Sequence, residues 1–490
     1  MKGFYINTCP PNIPQVFQES LSSKQISDQC IAVYKQDFEL SANNLNMVGW
    51  FIYDGKLNNI EALSNDLEKV GFQALDNIEF GVYSGVFYSS DESYFFQDNF
   101  GLNFHYLHIN ESEIIIAPTT KAIEDSAQLK VSTLHESFLS KRGHLFGSCT
   151  KYQKVTCLPL GAIVALSSGE IVKQKKISEI IRTTQSSLEC IPGMTRSLID
   201  KIPEESRCLA LSGGFDSRLI LSQSKMKRGY CYGPESSADR PIARQFKGDF
   251  DNFHEFEFDL NPASETEAQV FSDLVESPEQ YNDAQFINAY HTAFKLTKES
   301  DFFFDGYLGD VFQRGTYLYF PGVLGELYRF FPSLYKILPF NAKQLLKRRY
   351  SNLNKEEFTA LYESFCSETQ DLNLSDYNKV ILYEAFFARG RRYISRGALS
   401  INGCFKEVIP VFMHPSLQSI FAAQNYHDAV SFKNIKKIWK EVDLNYKTKK
   451  FENGYSLNTP SFMMPKLALL YRLLIHFVPG FQNYSTSNKK

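Results

Sequence analysis

The 490-residue chain is long enough for two or three domains, each with its own core. Its 43% hydrophobic and 22% charged content is ordinary for a soluble globular protein. A formal net charge of −3 gives no general attraction to nucleic acid or to an acidic membrane, and nucleic acid is not expected as a partner.

From the N-terminus, Met1 to Asn7 lacks the long apolar core of a signal peptide. Up to about residue 172 the pattern is mostly strands and turns. Strands are expected at Val48–Tyr53, Gly81–Tyr88, Tyr94–Asp98, Phe100–Tyr106, Ile114–Pro118 and Leu158–Leu166, a spacing that suggests stacked antiparallel sheets. Residues 173–195 are polar, with Lys173, Lys175, Lys176 and a Thr-Thr-Gln-Ser-Ser tract, and read as a linker. The nine cysteines, at positions 9, 30, 149, 157, 190, 208, 231, 366 and 404, form no Cys-x-x-Cys pair. Zinc-finger and thioredoxin-like motifs are therefore absent, and a cytoplasmic chain with reduced thiols is expected.

From 196 to 490 strands alternate with helices, which implies a doubly wound parallel sheet with its ligand crevice at the strands' carboxyl ends. The alternation opens with Cys208-Leu209-Ala210-Leu211, an apolar run that reads as a buried strand. Ser212-Gly213-Gly214-Phe215-Asp216-Ser217 follows, and then a helical pattern from Arg218 that Ser217 is placed to cap. A strand, a glycine turn and a helix start form a nest of backbone N–H groups suited to phosphate. Asp216 fits such a nest when Mg²⁺ lies between carboxylate and phosphate. Gly-x-x-x-x-Gly-Lys-Ser/Thr and Gly-x-Gly-x-x-Gly are both absent at this turn. Further strands are expected at Arg228–Gly233, Phe253–Leu260 and Phe302–Gly306, with a helix over Ile242–Phe246. Asp305-Gly306-Tyr307-Leu308-Gly309-Asp310 then falls at the same sheet edge as the first loop, where Asp310 is a second candidate carboxylate for the cation. Taken alone, that aspartate reads as a helix cap. After residue 320 the pattern is mostly helical. The run from Phe462 to Phe481 is interrupted by Lys466 and Arg472 and is expected to be a terminal helix packed on the core, with no membrane span.

Ser212 to Ser217 resembles the Ser-Gly-Gly-x-Asp-Ser loop of the ATP pyrophosphatase superfamily, whose members cleave ATP between the α and β phosphates. The wider order of elements resembles asparagine synthetases of the B type. Gly81–Tyr88, Asp98-x-x-Gly101 and Leu158-Pro159-Leu160-Gly161 resemble elements of their N-terminal glutaminase domain. Asp305 to Asp310 resembles their Gly-Glu-Gly-Ser-Asp-Glu loop, Glu407 to His414 their Glu-x-Arg-x-Pro-Phe-Leu-Asp segment, and Lys436 to Lys440 their Lys-x-x-Leu-Arg helix. The resemblance implies an α/β protein: residues 1–172 a degenerate glutamine amidotransferase-like domain with an Ntn-hydrolase-like αββα sandwich, and residues 196–490 a doubly wound, adenine nucleotide α-hydrolase-like ATP pyrophosphatase domain with added helices.

The same resemblance implies a ligase that activates a small-molecule or peptide carboxylate as an acyl-adenylate for attack by nitrogen. Ser212, Gly213, Gly214 and Ser217 would hold phosphate, Asp216 and Asp310 Mg²⁺, and Leu211, Tyr232 and Gly306 would line the adenine pocket of ATP. Lys436 would neutralise the leaving pyrophosphate, with Lys433 and Lys437 as competitors for that role. Several positions depart from the family. Lys2 replaces the nucleophilic cysteine, and Cys9 could become terminal only by cleavage after Thr8, so no glutaminase activity is expected. Ile409 and His414 replace the family's arginine and aspartate. Tyr307 and Val311 replace its glutamates, and the tyrosine resembles the β-lactam synthetase branch, where a tyrosine pairs with a glutamate, here Glu384, as a base. A salt bridge from Glu384 to Arg389, Arg391 or Arg392 is the competing reading. Nitrogen would then come from ammonia, from a separate supplying protein, or from the substrate's own amine, as in β-lactam synthetases and lasso-peptide cyclases. A tRNA-modifying adenylase and a non-catalytic scaffold are the alternatives of other classes.

Overall fold

The computed structural model describes residues 3–8, 21–26, 29–34, 39–111, 113–182, 186–233, 237, 239–257, 292, 296, 301–403, 406–451 and 453–477. Lys2, Cys9 and Cys404 lie outside the described residues, as do the end of the strand expected at Phe253–Leu260 and the last residues of the Phe462–Phe481 run. The chain forms two compact units. The first takes the chain up to Ile180 together with Phe386–Val408; the second holds the intervening described residues and those from Ile409 onward. The change of unit after Ile180 falls within the expected linker, but that stretch is partly ordered, with helical segments at Ile177–Ile180 and Ile191–Asp200. The chain from 196 onward is not one unit, because Phe386–Val408 belongs with the N-terminal part.

Two antiparallel sheets build the first unit. One joins β1 (Gly3–Asn7), β2 (Leu21–Ile26), β3 (Gln29–Tyr34), β9 (Tyr106–Ile109), β10 (Ile114–Ala117) and β11 (Val155–Cys157) in the order β11-β9-β10-β1-β3-β2. The other joins β4 (Glu39–Ala42), β5 (Leu45–Tyr53), β6 (Lys56–Leu57), β7 (Ile78–Tyr88), β8 (Ser93–Gln97), β12 (Ile163–Ala165) and β13 (Ile171–Lys173) in the order β13-β12-β8-β7-β5-β4, with β6 beside β5. Phe4, Ile6, Leu107 and Ile116 of the first sheet meet Val48, Val86, Phe95 and Val164 of the second in one buried cluster, so the sheets stack face to face. The second sheet buries its other face beneath the helix Ile60–Val70, where Leu63 and Leu67 pack on Met47, Phe51 and Tyr83.

The strand expected at Phe100–Tyr106 is instead a turn until Tyr106. Asp98 gathers its backbone: the carboxylate accepts from Phe100 N (3.1 Å), Leu102 N (2.9 Å) and Asn103 N (2.8 Å), and Gly101 takes φ +57°. N–H groups committed to one carboxylate cannot serve a sheet ladder. Leu158–Leu166 likewise narrows to β12, because Gly161 (φ +54°) turns the chain before it.

The returning segment Phe386–Val408 is fixed to the first unit by arginines on a π-helical turn, Gly390–Ser395. Arg391 donates to Gly101 O (3.0 Å) and Leu158 O (2.9 Å), and Arg392 to Gly147 O (2.8 Å) and Cys149 O (2.7 Å). Phe386 stacks on Phe100 with ring centroids 4.7 Å apart, and Trp50 Nε1 donates to Val408 O (2.9 Å).

In the second unit β14 (Arg207–Ala210), β15 (Met226–Gly233), β16 (Phe250–Glu257) and β17 (Phe302–Asp305) lie side by side in the order β16-β15-β14-β17. β14 pairs in parallel with both β15 and β17, and β15 with β16. This is the alternating α/β arrangement expected. Winding runs outward from β14 through β15 to β16 and then jumps back to β17, so the order reverses between β14 and β17. Beyond β17 the unit is largely helical; the helices Ala342–Arg349 and Lys355–Thr369 start in capping boxes, at Asn341/Gln344 and Asn354/Glu357.

Candidate functional site

The register opposes Leu209 of β14 to Phe304 of β17, so the loops that follow both strands leave the same edge, at the point where the strand order reverses. In open α/β sheets ligands bind at that point.

The first loop is tightly folded. The helix after it begins at Phe215 with Gly214 as its N-cap, not at Ser217. Ser217 lies inside the helix and turns its hydroxyl back to the loop, accepting from Ser212 N at 3.0 Å and meeting Ser212 Oγ at 3.1 Å. The capping role expected of it is therefore corrected: a two-glycine turn lets the helix start three residues earlier. Gly214 N donates to Ser212 Oγ (3.2 Å), and Gly213 N to the carboxylate of buried Asp239. The N–H groups of the turn are thus held by oxygens, one of them anionic. Leu211 is buried and donates from its backbone to Tyr230 O (2.8 Å), while half-buried Tyr232 stacks on Tyr230.

The second loop lies directly against the first. A Cβ at Gly306 would come within 2.9 Å of Ser217 N and 3.0 Å of Asp216 Cβ, and one at Gly309 would collide with the Asp216 carboxylate. Only glycine permits that approach. Leu308 between them takes φ +62°, a conformation that costs a branched side chain energy and is found where neighbouring structure imposes it. Asp216 accepts from Gln313 Nε2 (2.6 Å), and Asp310 accepts from Thr316 Oγ1 (2.9 Å) with the Arg314 guanidinium 3.9 Å away. Asp305, at the end of β17, accepts from Tyr307 N (2.9 Å); burial pushes its carboxyl up to about 6 against the pull of the Tyr307 and Gly306 N–H groups.

The helix Lys433–Ile438 packs on the helix Gly309–Arg314. It too is preceded by a non-glycine residue at positive φ, Phe432 (+62°). Lys433 and Lys437 are exposed and pair with Asp428. Lys436 is the half-buried lysine of the three; its ammonium donates to Leu457 O, and burial lowers its proton affinity.

Glu384 is fully buried on the helix Asp376–Phe386, and its Oε1 accepts from Arg349 Nε (2.8 Å). The competing partners Arg389, Arg391 and Arg392 are engaged in the first unit instead, Arg389 over the Tyr393 ring and the other two on backbone carbonyls. Among the described residues no hydrogen bond joins the Tyr307 hydroxyl to the Glu384 carboxylate.

Four side chains at the site escaped the sequence reading: Arg218, Asp239, Asp305 and Gln313. Arg218 is fully buried and donates to Gly213 O (3.3 Å), Lys449 O (3.0 Å) and Lys450 O (3.0 Å), with its guanidinium 3.8 Å from the Phe451 ring centre. It ties the 446–451 segment to the first loop. Gln313 and Asp305 flank Asp310 in sequence and could have been proposed from that spacing. Asp239 gave a weaker signal, a helix start after β15.

Asp216 and Asp310 stand on the two adjoining loops, and the glycines at 306 and 309 leave room for the Asp216 side chain; among the described residues no group of three or more His, Cys, Asp or Glu is gathered as a metal ion would require. No family model matches the chain, and a search of characterised proteins finds none significantly similar to it.

Proposed function

We propose that the chain is an ATP-dependent ligase of the asparagine synthase type, forming amide bonds through an acyl-adenylate. The observation that carries this reading is the contact of the two loops: Ser212 to Ser217 and Asp305 to Asp310 meet where the strand order reverses, so near that any side chain at Gly309 would strike Asp216. In this reading a substrate carboxylate oxygen attacks the α-phosphorus, the α–β bridge bond breaks, and pyrophosphate leaves. A nitrogen nucleophile then attacks the acyl carbon and displaces AMP, giving up a proton. Ser212, Gly213, Gly214 and Ser217 bind phosphate oxygens, and Gly213 N must be yielded by Asp239 for this to happen. Asp216 and Asp310 would hold Mg²⁺, which would offset charge on the pyrophosphate. Lys436 approaches the departing oxygens once released from Leu457 O. Leu211, Tyr232 and Gly306 bound the adenine.

Tyr307 and Glu384 remain the proposed proton-transfer pair only if nucleotide binding swings the phenol toward Glu384, which Arg349 now holds; ammonia as the attacking group needs no such pair. The first unit serves in this reading as a non-hydrolytic partner domain, and nitrogen arrives as ammonia or as an amine, including the substrate's own.

The test is Mg²⁺-dependent pyrophosphate release across a panel of small-molecule and peptide carboxylates. Asp216→Ala and Asp310→Ala are each expected to abolish release without unfolding the protein. Turnover near the parent rate in either variant removes the metal site, and release of pyrophosphate only with added tRNA favours the tRNA-modifying alternative.

A further inference from the structure

The second unit carries a surface that the ligase reading does not use. The helix Val323–Phe330 buries Gly325 and Tyr328 but leaves Val323 (82% exposed), Leu324 and Leu327 open, and Phe331 continues the same side at the next turn. The Tyr328 hydroxyl donates to Leu338 O (2.7 Å), which brings the exposed tip Ile337 (67%) and Leu338 (59%) back beside this helix. The C-terminal helix Met464–Phe477 packs against it. Among the described residues the exposed positions of that helix are Lys466, Leu470 and Leu473, and Met463 just before it continues the same spacing of three and four residues as one helical stripe. Lys466 joins the two parts, with its ammonium 5.5 Å from the Phe330 ring centre and 5.9 Å from that of exposed Phe462. The terminal helix packs on its unit as expected, and one side of it is open.

The charge of the segments that carry this apolar surface is one-sided. Between Pro321 and Tyr350 the only carboxylate is Glu326, which is paired with Arg329. Lys336, Lys343, Lys347 and Arg348 in the same stretch are exposed. From Ser456 to Lys490 the sequence holds no Asp or Glu. In a chain of net charge −3 this is a local reversal of sign. Exposed Leu, Ile and Phe, carried by segments that hold cations and no unpaired carboxylate, are the properties of a surface that lies on anionic lipid. A second copy of the same face would set cation against cation. No helix among the described residues is long and apolar enough to cross a membrane, so the face would lie on the bilayer and not span it.

We propose that this face, formed by Val323–Leu338 and the exposed stripe of the C-terminal helix, docks the protein on the surface of an anionic lipid bilayer. The full-length protein is floated with vesicles of phosphatidylcholine alone and of phosphatidylcholine mixed with phosphatidylglycerol. It is expected to float with the mixed vesicles, only weakly with the neutral ones, and less as salt is raised. The double variant Leu327→Glu, Leu470→Glu is expected to lose flotation, and Lys336→Gln and Lys466→Gln each to weaken it about fivefold. All four side chains are exposed, so circular dichroism should match the parent. Absence of flotation with the mixed vesicles overturns the proposal, as does flotation unchanged by the glutamates. A dimer in sedimentation velocity that Leu327→Glu dissolves also overturns it and assigns the face to a second copy.

Discussion

At Gly309 the backbone passes so near the Asp216 carboxylate that even a methyl group must push one of them aside. Displacing a reacting group by about 1 Å can cost about 10²-fold in rate. Gly309→Ala is therefore expected to lower pyrophosphate release by that order while thermal melting stays within a few degrees of the parent; an unchanged rate would show that the Asp216 position is irrelevant to turnover. His105 offers a second test, in the first unit. Its ring is fully buried, with Nε2 accepting from Phe4 N (3.0 Å) and Nδ1 placed 3.1 Å from Asn103 O, and burial drives its pKa from 6.5 to about 3. Below pH 6.5 the unfolded chain takes up a proton that the folded unit refuses, so the contribution of His105 is whole above that pH and drains away as the pH falls toward 3. The expected slope is about 1.4 kcal/mol per pH unit. His105→Gln keeps an acceptor for Phe4 N and should remove that slope when urea midpoints are compared between neutral and mildly acidic pH. Parallel pH dependences in the two proteins would mean that the folded ring accepts a proton.

Single elements show where the sequence was legible. Strands with uninterrupted apolar character, β5, β7, β10, β14 and β17, lie within a few residues of their expected positions because a buried strand advertises itself by composition. The misses arise where a side chain overrides the local pattern. Phe100 to His105 alternates Phe100, Leu102 and Phe104 with smaller or polar residues as a half-buried strand does, yet Asp98 claims its N–H groups. Ser217 is a good cap by residue type, yet two preceding glycines let the helix begin without it. At the site the two loops could be read from their motifs. Arg218, Asp239 and the Arg349–Glu384 pair could not, since each acts on a partner at least 26 residues away, and a single sequence carries no record of such pairs. Arg218 also supports a prediction. With its donors on the carbonyls of Lys449 and Lys450 and its guanidinium against Phe451, it is the clasp of the 446–451 segment. Arg218→Met should open that segment, and trypsin should cut after Lys447, Lys449 or Lys450 faster than in the parent while the rest of the unit stays resistant. Equal cutting rates would mean that the segment is held by other contacts.

The molecule as a whole interleaves its two units along the chain: residues up to Ile180 build most of the first, and Phe386–Val408 returns to complete it. Peptides leave the ribosome N-terminus first, at about 5–20 residues per second. The carbonyls of Gly101, Gly147, Cys149 and Leu158 are synthesised long before Arg391 and Arg392, which bond to them. During that interval the early sheets exist without their last buried layer, Phe100 lacks the Phe386 ring, and Trp50 lacks the Val408 carbonyl. The N-terminal unit is thus expected to mature late in translation, although it is made first. Nascent chains stalled before Phe386 should leave it protease-sensitive, and chains stalled far enough beyond Val408 to clear the exit tunnel should protect it; protection already present at the earlier stall would make the returning segment an ornament on a unit that folds alone. Chaperones that meet the emerging chain would have their longest engagement at this unit, the part of the protein with the greatest delay between synthesis and closure.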